Sequence, residues 1–199
     1  MTRTVEFFFD VGSPASYIAW CRIAGICSDA KARLEYRPML LGGVFHATGN
    51  HSPTEVPAKG RYMMVDLERF AHRHAIAFSH NPFFPINTLM LMRVATGLQM
   101  QDEAAMLRFV DAAYRAIWVE AKDMNNPEVV GAVLAGAGFN PAGMLALAAD
   151  PAVKERLKST TQEAVERGVF GAPTFFVDGH MYWGQDRLDF VQQALERQP

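Results

Sequence analysis

Cysteine is scarce in this chain: Cys21 and Cys27 are its two, and their spacing matches neither a Cys-x-x-Cys redox pair nor a metal knuckle. Neither a disulfide framework nor a cysteine-ligated zinc site is suggested, and both thiols are expected to be buried or inert. An excess of one charge is also missing. With 19 basic against 21 acidic residues the formal net charge is −2, and no long basic run supplies a footprint for nucleic acid or a membrane surface. Long hydrophobic runs are lacking too. No segment approaches the roughly 18 uninterrupted apolar residues of a span, and the opening MTRTVEFFFD has no apolar stretch after a basic start, so a cytoplasmic protein without a membrane partner is expected. His72 and His74 lie two apart and cannot share a helix face, so no metal site is expected, and His46, His51 and His80 fall in polar loops where solvation is expected. Repeats and low-complexity tracts are absent.

What is present is the material of a packed core: half of the 199 residues are hydrophobic and a fifth are charged. Val5-Glu6-Phe7-Phe8-Phe9 is a short aromatic-rich run ending at Asp10 and Gly12, as in a strand buried on both faces. Ser13-Pro14 then opens a helical pattern through Tyr17, Ile18, Cys21 and Ile23, with serine as cap and proline in the first position. Leu34 to Leu41 is expected as a second, parallel strand. From about Glu55 to Gly168 the periodicity is helical, and Pro127, Pro141 and Pro151 fall where helices would begin. Met63, Met64, Met90 and Met92 there read as core or pocket filling, with an adaptable substrate wall as the alternative. Strand character returns at Thr174-Phe175-Phe176-Val177, with an Asp178-Gly179 hairpin signal before Met181-Tyr182-Trp183, and a last helix is expected from about Asp186 to Arg197. The order gives an α/β protein with a thioredoxin-like fold and a large all-helical insertion: residues 1–54 and 169–199 form the thioredoxin-like domain and 55–168 the inserted helices.

Three segments carry chemical potential. In Phe9-Asp10-Val11-Gly12-Ser13-Pro14-Ala15-Ser16-Tyr17 a hydroxyl stands at a helix start after a buried strand, where free backbone N–H groups and the positive helix end stabilise an anion such as a thiolate. In Gly168-Val169-Phe170-Gly171-Ala172-Pro173-Thr174 a proline opens a strand after small residues, a setting for a cis peptide that leaves the preceding backbone free for a ligand. In Trp183-Gly184-Gln185-Asp186-Arg187 a glycine precedes a helix start offering N–H groups, an amide and a carboxylate, which suit a zwitterionic amino acid. Taken singly, each also fits an ordinary capped helix or strand entry.

Together and in this order they resemble the 2-hydroxychromene-2-carboxylate isomerases and the related kappa-class glutathione transferases. The likeness runs through Leu41-Gly42-Gly43-Val44-Phe45 and Ala47-Thr48-Gly49-Asn50 and spans nearly the whole chain. That group is related to DsbA-like oxidoreductases, whose Cys-x-x-Cys occupies the turn that here reads Ser13-Pro14-Ala15-Ser16; without either redox sulfur the chain cannot perform dithiol exchange. The resemblance implies glutathione as cofactor. Ser13 is then the catalytic hydroxyl meeting the glutathione sulfur, the Ala172 backbone before a cis Pro173 pairs with the cysteinyl backbone, and Gln185 and Asp186 hold the γ-glutamyl end. Phe45, Asn50 and Asn87 fall on the substrate side, Arg187 has no assigned role, and a homodimer is implied. The implied reaction is the glutathione-dependent interconversion of 2-hydroxychromene-2-carboxylate and trans-o-hydroxybenzylidenepyruvate, or of a related intermediate of aromatic degradation. A kappa-like transferase conjugating small electrophiles is the alternative, and a non-catalytic thioredoxin-like binding module is a third reading.

One position departs from the pattern. The naphthalene-pathway isomerases carry a lysine near Phe45, and its loss removes a cation that would meet a substrate carboxylate, unless Lys59 or Arg61 compensates. Phe45→Lys is therefore expected to raise kcat/KM for 2-hydroxychromene-2-carboxylate in a steady-state absorbance assay, and an unchanged or lower value counts against this alignment.

Overall fold

The computed structural model describes residues 2–196, which form one four-stranded sheet and nine α-helices. Strand β1 (Thr4–Phe9) sends Phe7 and Phe9 to one side of the sheet and Phe8 to the other, all fully buried. It is followed by helix α1 (Pro14–Asp29), then β2 (Arg33–Pro38) parallel to β1. The second strand is shorter than expected. It stops at Pro38, and Leu41 begins helix α2 (Leu41–Thr48), because proline lacks a ladder donor and the Leu41 N–H is taken by the buried Asp10 carboxylate at 2.8 Å.

The helical block comprises α3 (Pro57–Arg73), α4 (Leu89–Gln101), α5 (Glu103–Trp118), α6 (Pro127–Gly136), α7 (Pro141–Ala149) and α8 (Pro151–Glu166). The three expected prolines are first residues of α6, α7 and α8, preceded by Asn126, Asn140 and Asp150, whose side chains accept first-turn N–H groups. The chain returns to the sheet as β3 (Thr174–Val177), antiparallel to β1, and β4 (His180–Trp183), with Asp178 and Gly179 both at positive φ in the connecting turn. The last helix, α9 (Leu188–Glu196), begins two residues later than expected because Gln185–Arg187 form a 3-10 turn; Arg197 lies outside the described residues.

The strand order is β2-β1-β3-β4. On one face Val5, Phe7, Phe9 and Phe175 join α1, α9 and the helical block in a single apolar cluster that includes Met92, Tyr114 and Trp118. On the other, Phe8 and Phe176 pack with Val44 of α2 and Ala164 of α8. There Arg167 stacks on Phe176 at 3.9 Å and grips Glu6 at 2.6 and 2.7 Å, which holds the Glu6 carboxyl below its usual range. Cys27 is buried, its thiol pushed up to about 11 by desolvation, whereas Cys21 stands at the surface, contrary to the expectation of burial. Partial desolvation of its sulfur, with the Asp111 charge, still raises the Cys21 thiol, so both remain poor nucleophiles.

The side chain that fixes these pieces relative to one another is Asp10, 1% exposed at the end of β1. Its Oδ1 accepts from the Gly12 N–H at 2.9 Å, and its Oδ2 accepts from Leu41 N–H at 2.8 Å and from Thr88 Oγ1 at 3.0 Å. One carboxylate thus joins the β1–α1 turn, the start of α2 and the residue before α4. Burial outweighs these donors and raises the Asp10 carboxyl above its ordinary range. Asp10→Ala strands three donors and is expected to cost about 2–4 kcal/mol in urea unfolding. Asp10→Asn, which keeps the volume and part of the acceptor set, should cost less.

Candidate active site

A cleft of about 560 Å³ opens where the β1–α1 turn, the start of α2, one face of α3, the segment before α4 and the two loops flanking β3 and β4 converge. Ser13 lies at its floor, 5% exposed. Its backbone N–H donates to Asp10 O at 3.0 Å, and its extended φ of −92° makes it the cap of α1, where Oγ accepts the Ser16 N–H at 3.1 Å. The same hydroxyl donates to the Ala172 carbonyl at 2.9 Å, across 159 residues of sequence. In the first turn of α1, Pro14 has no N–H, Ser16 donates to Ser13 Oγ and Tyr17 donates to Ser13 O. Ala15, also on the cleft wall, carries the remaining first-turn donor. Ser16, at the position of the second hydroxyl of the turn, is fully buried and its Oγ has no partner among the described residues.

The Ala172–Pro173 bond is cis, as expected, and Ala172 faces Ser13. Two bonds lock this loop: Thr174 Oγ1 donates to Gly171 O at 2.8 Å, and Gly184 N–H donates to Pro173 O at 3.0 Å. Gly171 lies so close to the Trp183 indole that a Cβ there would come within 2.6 Å of Nε1. Gly184 takes φ +102°, a conformation left to glycine, and thereby turns Gln185 and Asp186 into the cleft. Gln185 is 4% exposed; Arg22 of α1 donates to its carbonyl at 3.3 Å, while its side-chain Oε1 is buried with no partner among the described residues. The Asp186 carboxylate accepts from Arg187, so Arg187 holds the adjacent carboxylate rather than facing the cleft.

Of the eight residues singled out from sequence, Ser13, Ala172, Gln185, Asp186, Phe45 and Asn50 line this cleft, and Pro173 lies directly behind Ala172. Asn50 is a fastener: its Nδ2 donates to Phe170 O at 2.7 Å and its Oδ1 accepts the His51 N–H. Asn87 is not in the cleft. It borders a separate groove with Met90, Arg93 and Met124, where its backbone N–H donates to Asn125 and its Oδ1 accepts the Leu89 N–H as α4 begins; the neighbouring Ile86 and Thr88 face the cleft instead. Lys59 and Arg61 do not compensate for Phe45, since both are exposed outside the lining.

Sequence reading missed Asp10, His51, Asp66 and Trp183 on the cleft wall. Asp10 had a visible signal, a carboxylate between an apolar strand and a Gly-Ser-Pro turn. Asp66 had only its spacing to Met63 and Leu67 on one face of α3, which acquires meaning once the packing of α3 is known.

Residues 4–196 match the family of DSBA-like thioredoxin domains. A 2-hydroxychromene-2-carboxylate isomerase of Sphingobium xenophagum is 32% identical over 98% of this chain and 99% of its own, and the human glutathione S-transferase kappa 1 is 32% identical over 98% and 92%. A solved 2-hydroxychromene-2-carboxylate isomerase superposes with a TM-score of 0.84 at 29% identity, covering 96% of this chain and 94% of that one. Matched along almost its whole length, the chain belongs to the DSBA-like thioredoxin-domain family, in which its relatives include both hydroxychromene-carboxylate isomerases and kappa-class glutathione transferases.

Proposed function

We propose that this protein is a glutathione-dependent isomerase of conjugated aromatic compounds, with Ser13 as its catalytic hydroxyl. The observation that carries the reading is the placement of Ser13 Oγ between the Ser16 N–H and the Ala172 carbonyl, at the start of a long helix and with no cysteine in the cleft. Its similarity to isomerases and to kappa transferases, all built around small-molecule thiol chemistry in their printed names, supports the class.

The residues present fit glutathione. Buried Gln185 Oε1 is an acceptor without a partner, beside the Asp186 carboxylate, and together they suit the ammonium of a γ-glutamyl group. The Ala172 backbone beside the cis peptide is placed to pair with a cysteinyl backbone. Bound glutathione supplies a thiolate that adds reversibly to a conjugated carbon, so that the former double bond rotates before the thiolate leaves.

The protein's part is to favour the thiolate and to aim it. Ser13 has one hydroxyl proton, which in this structure goes to the Ala172 carbonyl. A cysteinyl N–H donating to that carbonyl takes over as its donor and releases the Ser13 proton to the sulfur, so docking of the peptide backbone and stabilisation of the thiolate become one event. The Ala15 N–H and the positive end of α1 add to the same effect. Phe45, Met63, Leu67, Phe84 and Ile86 provide the apolar wall for an aromatic second substrate and keep water from the reacting carbons.

Kappa-type conjugation is the second reading, favoured by the human relative. Glutathione consumption separates the two: an isomerase regenerates its thiol over many turnovers, and stoichiometric thiol loss overturns the isomerase reading. Ser13→Ala removes a hydrogen bond to a charged sulfur, about 1.5–3 kcal/mol, and so is expected to raise the bound thiol's pKa by roughly one to two. The ultraviolet thiolate titration should move up and kcat at neutral pH should fall, while glutathione affinity stays within a few-fold. An unmoved titration and kcat would reduce Ser13 to a helix cap.

A further inference from the structure

The charges on the cleft wall are one-sided. Its ionisable side chains are Asp10, Asp66, Asp186 and His51, and among the described residues that line it there is no lysine or arginine. Three of the four are already engaged. Asp10 accepts three hydrogen bonds, Asp186 pairs with Arg187, and His51 Nδ1 lies 3.6 Å from the Glu55 carboxylate. Asp66 has no ion pair and no hydrogen bond to another described residue. It lies on α3 one turn beyond Met63 and beside Leu67, so the apolar wall for the second substrate carries one free carboxylate. The cations of the same helix, Lys59 and Arg61, are exposed outside the lining.

A substrate carboxylate entering this wall would lose water, meet no cation and approach a like charge. Glutathione differs, because it brings its own ammonium to the Asp186 end of the cleft. We propose that the second substrate is an uncharged conjugated aromatic carbonyl compound, and that Asp66 is the specificity-determining residue that disfavours carboxylate-bearing counterparts. The proposal rests on the isomerase reading and narrows it. The substrate's β-carbon accepts the sulfur lone pair while its π pair moves to the carbonyl oxygen; after rotation the pair returns and the carbon–sulfur bond breaks, so no oxidant, reductant or net proton is required.

The test uses the full chain with saturating glutathione and a matched pair, the free acid and the methyl ester of one cis-arylidene pyruvate, followed by absorbance. Like charges roughly 6 Å apart in a half-exposed site are worth about tenfold in kcat/KM. The ester is therefore expected to be preferred by that factor or more. Asp66→Asn should raise kcat/KM for the acid about three- to tenfold and leave the ester within twofold, and Asp66→Lys should raise the acid further. Circular dichroism melts verify that both variants fold. A wild type that prefers the acid, or an acid-to-ester ratio that ignores both substitutions, overturns the assignment while leaving the isomerase reading intact. Absence of glutathione-dependent turnover of either compound overturns the isomerase reading and the assignment with it.

Discussion

The Asp10 carboxylate is the constraint on which the geometry of the cleft depends. Three segments far apart in sequence, beginning at Gly12, Leu41 and Thr88, each give it a donor, and Ser13 and Tyr114 both donate to its backbone carbonyl. A buried carboxylate costs more than a neutral acceptor would, and the rise of its pKa expresses that cost. The same burial makes its three bonds unforgiving in direction, since each donor would be stranded if the turn shifted. The floor of the cleft is therefore held by one polar knot, and the apolar layers on either side of the sheet serve to keep that knot dry.

What rests on the knot is a hydroxyl at a helix start. In an oxidoreductase of this fold the corresponding turn holds two sulfurs whose chemistry is internal to the protein. Here Ser13 and Ser16 leave the helix end and the cis-proline loop in place but remove the nucleophile, so the electrostatics persist without a thiol to act on. On the proposed reading an external thiol fills that role, and the Ala172 carbonyl, which already takes the Ser13 proton, is the contact through which peptide docking and sulfur stabilisation are coupled.

Much of this arrangement is legible in the sequence because it depends on local rules. The aromatic run of β1, the Ser13-Pro14 cap, the prolines opening α6, α7 and α8, and the Asp178-Gly179 hairpin follow from φ preferences, capping and burial period, and each lies where those rules put it. The misreadings are tertiary. Leu34 to Leu41 looks like one strand until Asp10 captures the Leu41 N–H, and Asp186 looks like a helix start until Gly184 at positive φ diverts the chain through a 3-10 turn. Asn87 sits one residue from two cleft residues, but its amide is occupied by the start of α4, so adjacency in sequence did not become adjacency in space. Asp66 was invisible for the converse reason: a half-exposed aspartate on an amphipathic helix is ordinary until a second wall faces it.

That second wall is where this chain separates from the relatives whose turn it shares. A catalytic floor shared between isomerases and transferases leaves selectivity to residues that do not touch the sulfur, and here those are Phe45 in place of a cation and Asp66 without a partner. The two act in the same direction. An aromatic ring offers a carboxylate no compensation for lost water, and a free carboxylate opposes it at longer range, where the apolar surroundings of Met63 and Leu67 weaken screening. Neither effect touches the Asp10 knot or the Ser13–Ala172 contact. The chemistry of the floor and the charge of the wall can therefore vary independently, which is how one scaffold serves substrates of different charge without rebuilding the turn that handles the thiol.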